Sequence, residues 1–113
     1  MVVLKERNAD TITILECVGR LTAEAEKDTL NDRVQALLAE DRILLLLDLS
    51  QLNSINSQGI SELVRSFTST VRHGGRLKLL KLSPRVRQVL EATRLLNVLE
   101  AFDDEAAALA SFG

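Results

Sequence analysis

The sequence predicts a single α/β domain over residues 1–113, a mixed and mostly parallel sheet with an N-terminal hairpin, packed by about four helices. Three observations carry that expectation. Strand-like and helix-like segments alternate in the order β-β-α-β-α-β-α-β-α. The stretch Arg42 to Leu49 is almost continuously apolar, the pattern of a central strand covered on both faces. Ile60, Leu63, Val64, Phe67 and Val71 recur at helical spacing and stop at Gly74-Gly75.

Each element has a local reason. Val2 to Arg7 opens apolar and reads as a first strand, and Asn8-Ala9-Asp10 supplies turn residues. Thr11 to Val18 begins with strand-like alternation, places Ile12 and Ile14 on one side and ends at Gly19. Thr22 is a candidate helix cap, with Glu24, Glu26 and Asp28 near the positive end. Leu30, Val34, Leu37 and Leu38 then form one apolar face, closed by Glu40-Asp41. After the central strand, a helix is expected from Asn56 or Ser57. Leu77 to Leu82 forms the next strand. Ser83-Pro84 is a helix start, a cap followed by proline, and opens a helix from Arg85 to Leu96. Val98 to Phe102 reads as a short strand, and Asp103-Asp104-Glu105 starts a last helix to about Ser111.

Composition narrows the function. Apolar residues make up 46% and charged residues 27%, ordinary for a folded domain. The 14 Lys and Arg against 16 Asp and Glu leave a net charge of −2, which argues against a nucleic-acid binder. The three aromatics, Phe67, Phe102 and Phe112, offer few stacking platforms for bases. One cysteine (Cys17) and one histidine (His73) exclude an internal disulfide and a Cys/His zinc site within one chain. Cys17 reads as a small buried residue, and His73 as an exposed helix-end residue. The longest apolar run is far short of the roughly 20 residues a bilayer span needs. The N-terminus lacks a signal-peptide pattern, so a cytoplasmic protein with no metal or cofactor is expected.

Catalytic constellations are missing. His73 is the only base for a serine triad, but it ends the helix that Ser57 begins, about 24 Å away along the axis. Gly74-Gly75 is no phosphate loop, because no Gly-Lys-Ser/Thr follows. From Arg72 to Arg94 there are seven basic residues against one acid, Glu91, which reads as a solvated face or as a docking patch for an acidic partner.

The segment Asp48-Leu49-Ser50-Gln51-Leu52-Asn53-Ser54-Ile55-Asn56-Ser57-Gln58-Gly59-Ile60 leaves a buried strand, crosses a polar loop and enters a helix whose first turn carries a hydroxyl and a glycine. It resembles the signature of the STAS domain, in particular of the anti-sigma-factor antagonists. Their pattern runs Asp-Leu-Ser, then an apolar residue and Asp-Ser-Ser/Thr-Gly-Leu. Val18-Gly19-Arg20-Leu21 resembles the family's Gly-Arg/Glu-Leu-Asp turn, with Thr22 where Asp is usual. Asn56 stands for Asp, and Gln58 for Ser or Thr.

The resemblance implies Ser57 as phosphoacceptor. It implies a partner surface of Arg20, Leu21, Thr22, Asp48, Ser50, Asn53, Ser54, Asn56, Gln58, Gly59, Glu62 and Leu63. The implied partners are an anti-sigma factor that is also a serine kinase, and a serine phosphatase that restores the free form. The plainer readings are Ser57 as a helix cap, Asp48 as a loop-stabilising carboxylate, and a constitutive subunit of a lipid-transport system, stressosome-type scaffold or anion transporter. Nucleotide binding at the same helix start ranks last, for want of a phosphate-loop lysine.

Overall fold

The computed structural model describes residues 2–22 and 29–113. Strands β1 (Val2–Ala9) and β2 (Ile12–Leu21) form an antiparallel hairpin. Helix α1 (Leu30–Ala39), strand β3 (Leu44–Asp48), strand β4 (Leu52–Ile55) and helix α2 (Ser57–Arg72) follow. Strand β5 (Arg76–Leu80), helix α3 (Pro84–Ala92), a 3₁₀ turn (Leu95–Asn97), strand β6 (Ala101–Phe102) and helix α4 (Glu105–Ala110) complete the fold. The sheet order is β1-β2-β3-β5-β6, every pairing after the hairpin is parallel, and β4 joins the far end of β2.

The alternation along the strands separates two cores. Leu15, Cys17, Leu45, Leu47, Leu77 and Leu79 face a large core covered by α1, α2 and α3, which contribute Leu30, Val34, Leu63, Val86 and Leu90. Ile12, Ile14, Leu46 and Leu80 face the other side, where α4 and the C-terminus contribute Ala108 and Phe112. Leu44–Asp48 is buried on both faces, as its unbroken apolar run requires. Cys17 is buried, and desolvation pushes its thiol up to about 12.

Several expectations need correction. The hairpin turn is Asp10-Thr11, with Asn8 and Ala9 still in the strand, because Asp10 takes the left-handed conformation that a tight hairpin turn demands. β2 runs past Gly19 to Leu21, where it gains β4 as a new neighbour. The cap of α1 is Thr29, whose hydroxyl accepts from Asp32 N at 3.1 Å while Asp32 returns the bond to Thr29 N. Thr22 caps nothing among the described residues, and its buried hydroxyl has no partner there. Glu24, Glu26 and Asp28 lie outside the described residues. The third helix ends at Ala92, and β6 shrinks to two residues. Ser83 occupies the cap position of α3 but spends its hydroxyl on Leu52 O at 2.7 Å.

The apolar spacing in α2 places Leu63 in the core and Ile60 and Phe67 against it, but misses the polar part of the buried face. Inward go Gly59, Glu62, Leu63, Ser66 and Thr70, whereas Val64 and Val71 are 37% and 51% exposed. The helix packs against α1 through a polar seam. Ser66 Oγ donates to Asn31 Oδ1 at 3.4 Å, Gln35 Nε2 to Ser69 Oγ at 2.7 Å, and Thr70 Oγ1 to Ser66 O at 2.8 Å. These bonds satisfy the polar groups, so apolar periodicity cannot find the seam.

The basic segment is not one solvated face. Lys78 is buried, donates to Ser111 O and Oγ at 3.0 Å, and lies 4.9 Å from the Phe112 ring centroid and 5.7 Å from that of Phe102. Arg76 donates to Phe112 O, and Arg87 pairs with Asp103. Arg76 and Lys78 thus hold the C-terminal end onto the sheet, while Arg72, Lys81, Arg85 and Arg94 are exposed.

Candidate functional site

Three segments meet at the carboxyl end of β2, where β4 and α2 cross it. The first is the β2 corner, Arg20-Leu21-Thr22. The second is the loop from Asp48 through β4. The third is the first turn of α2. Parallel sheets gather loops at the carboxyl ends of their strands, so this edge is the expected place for a binding surface.

The loop is shaped by Asp48. Its Oδ1 accepts from Ser50 N at 3.0 Å, a local turn that commits this carboxylate to the backbone. Leu49 N donates to Leu80 O, and Gly19 N to Gln51 O at 3.1 Å, which ties the loop to β5 and β2. Leu52 and Ile55 then point into the core, leaving Asn53 exposed and Ser54 half-buried. Parallel pairing with the end of β2 makes β4 a strand, and four residues without apolar alternation inside a polar loop are too few for the sequence to announce it.

Asn56, not Ser57, caps α2. Its Oδ1 accepts from Gly59 N at 2.9 Å, and its Nδ2 donates to Thr22 O at 3.3 Å. Ser57 is the first helical residue and is exposed, as are Gln58 and Ser61. Ser61 Oγ donates to Ser57 O at 3.1 Å. The first turn holds no acidic residue, so the positive end of a 16-residue helix dipole is uncompensated by its own side chains. Gly59 is buried because a Cβ there would lie 1.9 Å from Leu21 O. Glycine is required at that crossing for close approach of two backbones.

The sequence-named residues thus separate into two groups. Exposed at this edge are Arg20, Ser50, Asn53, Asn56, Ser57 and Gln58, with Thr22, Asp48 and Ser54 half-buried beside them. Leu21, Gly59, Glu62 and Leu63 are buried. Glu62 is a correction to the expected contact surface. It turns toward α1 and accepts from Asn31 N at 3.4 Å, so it serves the start of α1. Leu63 is likewise core, fully covered. His73 ends α2 and donates nothing to this edge; its ring nitrogen bonds back to Ser69 O at 2.8 Å.

Among the described residues, no group of three or more His, Cys, Asp or Glu side chains could hold a metal ion. No described helix is long and apolar enough to cross a membrane. An open hollow of about 400 Å³ lined by Asn8, Asp10, Thr13, Asp41 and Arg42 lies at the opposite end of β2 and shares nothing with this edge. The arrangement is that of a small α/β module presenting an exposed hydroxyl at a helix N-terminus.

The STAS domain model matches residues 4–108, and the chain belongs to that family. Solved structures agree on the fold. An anti-sigma factor antagonist from Mycobacterium paratuberculosis superposes with a TM-score of 0.84 at 17% identity, covering 99% of this chain and 94% of that one. A Thermotoga maritima protein described as an anti-sigma factor antagonist gives 0.83 at 21% identity, covering 96% and 93%. The Bacillus cell fate determinant SpoIIAA in its phosphorylated form gives 0.72 at 16% identity, covering 98% and 99%. No curated protein sequence matches the chain.

Proposed function

We propose that this protein is an anti-sigma-factor antagonist, a binding module without catalysis of its own, switched by phosphorylation of Ser57. The observation that carries the reading is Ser57 itself, exposed at the first position of α2, in a turn without a carboxylate. SpoIIAA, which shares the fold, exists in a phosphorylated and an unphosphorylated form.

In the free form the hydroxyl is small and neutral, and a partner can close over it. The surface it closes on comprises Arg20, Thr22, Ser50, Asn53, Ser54, Asn56 and Gln58. Leu21, Gly59 and Leu63 shape it from beneath, and Asp48 holds the loop. The partner is an anti-sigma factor that is also a serine kinase. Ser57 Oγ attacks the γ-phosphorus of ATP, ADP leaves, and the hydroxyl proton passes to a base of the kinase. The phosphate adds about −1.5 to −2 charge and three oxygens. The helix N-terminus tolerates that charge without refolding, because its unpaired N–H groups and dipole favour an anion. The switch therefore acts by bulk and charge at the contact. Hydrolysis by a serine phosphatase returns the free serine and inorganic phosphate.

Such a role places the protein in the bacterial cytoplasm. The test is to incubate the protein with the ATPase it captures from native lysate, add ATP, and map phosphate by mass spectrometry. Phosphate on Ser57, absent in Ser57→Ala, is the expected result; phosphate elsewhere or nowhere overturns it.

A second reading is favoured by one feature. Asn56 and Gln58 replace the usual Asp and Ser/Thr around the serine, which fits a static contact in a transporter or scaffold subunit. Equal capture of one such component by wild type and Ser57→Asp would select it.

A further inference from the structure

We propose that Asn56 is a positioning residue that staples the β2 corner to the first turn of α2, so that both halves of the docking surface are presented as one preassembled unit. The inference rests on the partner-binding reading above for its purpose, though not for its geometry.

The corner needs a staple. Among the described residues the β1 pairing reaches only to Val2–Gly19, and Arg20, Leu21 and Thr22 have no β1 partner there. On the other side the pairing with β4 shifts register between Gly19 and Arg20 and stops at Leu21–Ile55. Beyond Leu21 no strand holds the chain among the described residues.

Asn56 supplies the missing ties from both its backbone and its side chain. Its N–H donates to Leu21 O at 3.3 Å, and its Nδ2 donates to Thr22 O at 3.3 Å. At the same time Oδ1 accepts from Gly59 N at 2.9 Å. The two side-chain bonds fix the amide's orientation. Turning it over would set NH₂ against the Gly59 N–H and oxygen against the Thr22 carbonyl, two repulsive contacts in place of two bonds.

Few residues can do both jobs. Serine, threonine and aspartate cap a helix equally well as acceptors. None of them also has an N–H₂ to reach a carbonyl across the corner, and an ionised aspartate would set a negative oxygen toward Thr22 O. The amide at position 56, where the family pattern has a carboxylate, thus has a physical consequence. It exchanges a charge next to Ser57 for a tether between the two segments that flank it.

The test separates capping from tethering. Asn56→Asp keeps the acceptor for Gly59 N and loses the donor to Thr22 O. Backbone ¹⁵N relaxation is then measured for Arg20 to Thr22 and for α2. Wild type is expected to show order parameters near about 0.85 in both regions. In Asn56→Asp the corner is expected to fall below about 0.7 while α2 from Ser61 onward stays rigid. Asn56→Ser, which also caps and also lacks the amide, serves if the aspartate variant does not fold. A corner as rigid in either variant as in wild type overturns the proposal. The association rate with the captured kinase then reads the purpose, with a fall of about fivefold or more expected for a surface that must order before it binds. Relaxation needs no partner, so a failed kinase reading leaves the tether intact, and a rigid corner in the variants overturns the tether alone.

Discussion

Helices α2 and α4 both begin with a capping side chain, on opposite faces of the sheet, and their charges differ completely. At α4, Asp104 accepts from Ala107 N at 2.9 Å, and Glu105 follows as the first helical residue. Glu105 is gripped by the Arg7 fork, Nη1 to Oε2 at 3.0 Å, and Arg7 reaches Glu16 with Nε at 2.8 Å. The Arg7 guanidinium holds the Glu105 carboxyl below the ordinary carboxylate value. At α2 the cap is a neutral amide, the first turn has no acid, and Ser57 stands in solvent. One helix start is neutralised and consumed in holding the fold. The other has no acid in its own first turn, so its positive end can stabilise a phosphate or a partner's acidic group.

The sharpest way to break this contrast is at the crossing beneath α2. Gly59→Val places a branched side chain against Leu21 O, and a loss of about 3 kcal/mol is expected from equilibrium denaturation, because backbone on both sides must move. At the α4 side, Lys78→Ala strands the Ser111 carbonyl and removes the cation from two rings. About 2 kcal/mol should go, with amide exchange rising first in α4 and only later in α2. Filling the open helix end works in the opposite direction. Ser57→Asp gives α2 the acidic first turn that α4 already has, and should raise stability by about 0.3–1 kcal/mol at low salt. The gain should fade at high salt, read by thermal melting at both.

The smallest expected effect is in pH. Glu105 has a lowered folded-state value, so its ion pair with Arg7 contributes fully above the unfolded carboxylate value near 4.5. That contribution is lost as pH falls through the folded-state value. Both side chains are about a third or more exposed, so water screens the pair and the effect is modest. Comparing the acid limb of the stability curve for wild type and Arg7→Met isolates it. The variant should show a shallower loss over that window.

Much of this architecture was readable from the residues. The continuous run Ile43–Leu47 announced the doubly buried strand, and Gly74-Gly75 and Ser83-Pro84 bracketed β5. At the site, the position of Ser57 at the start of α2 was legible, whereas the choice of Asn56 over Ser57 as cap was not. Asn56 and Ser57 are both good caps, and only the backbone reveals which residue is extended. The polar seam of Asn31, Glu62 and Ser66 defeated apolar periodicity, because satisfied hydrogen bonds let polar residues go inside. Thr22 misled for a related reason. A threonine before an acidic stretch looks like a cap, but a second one at Thr29, with Asp32 three residues on, makes the reciprocal pair.

The most direct test is the affinity of the captured anti-sigma kinase for wild type, Ser57→Ala and Ser57→Asp, measured by calorimetry on the purified pair. Wild type and Ser57→Ala should bind alike, since both are small and neutral at the helix start. Ser57→Asp should bind at least about tenfold more weakly, a difference of 1.4 kcal/mol, while its melting temperature is equal or higher. Equal affinity for all three would contradict the account and make Ser57 an ordinary first-turn residue.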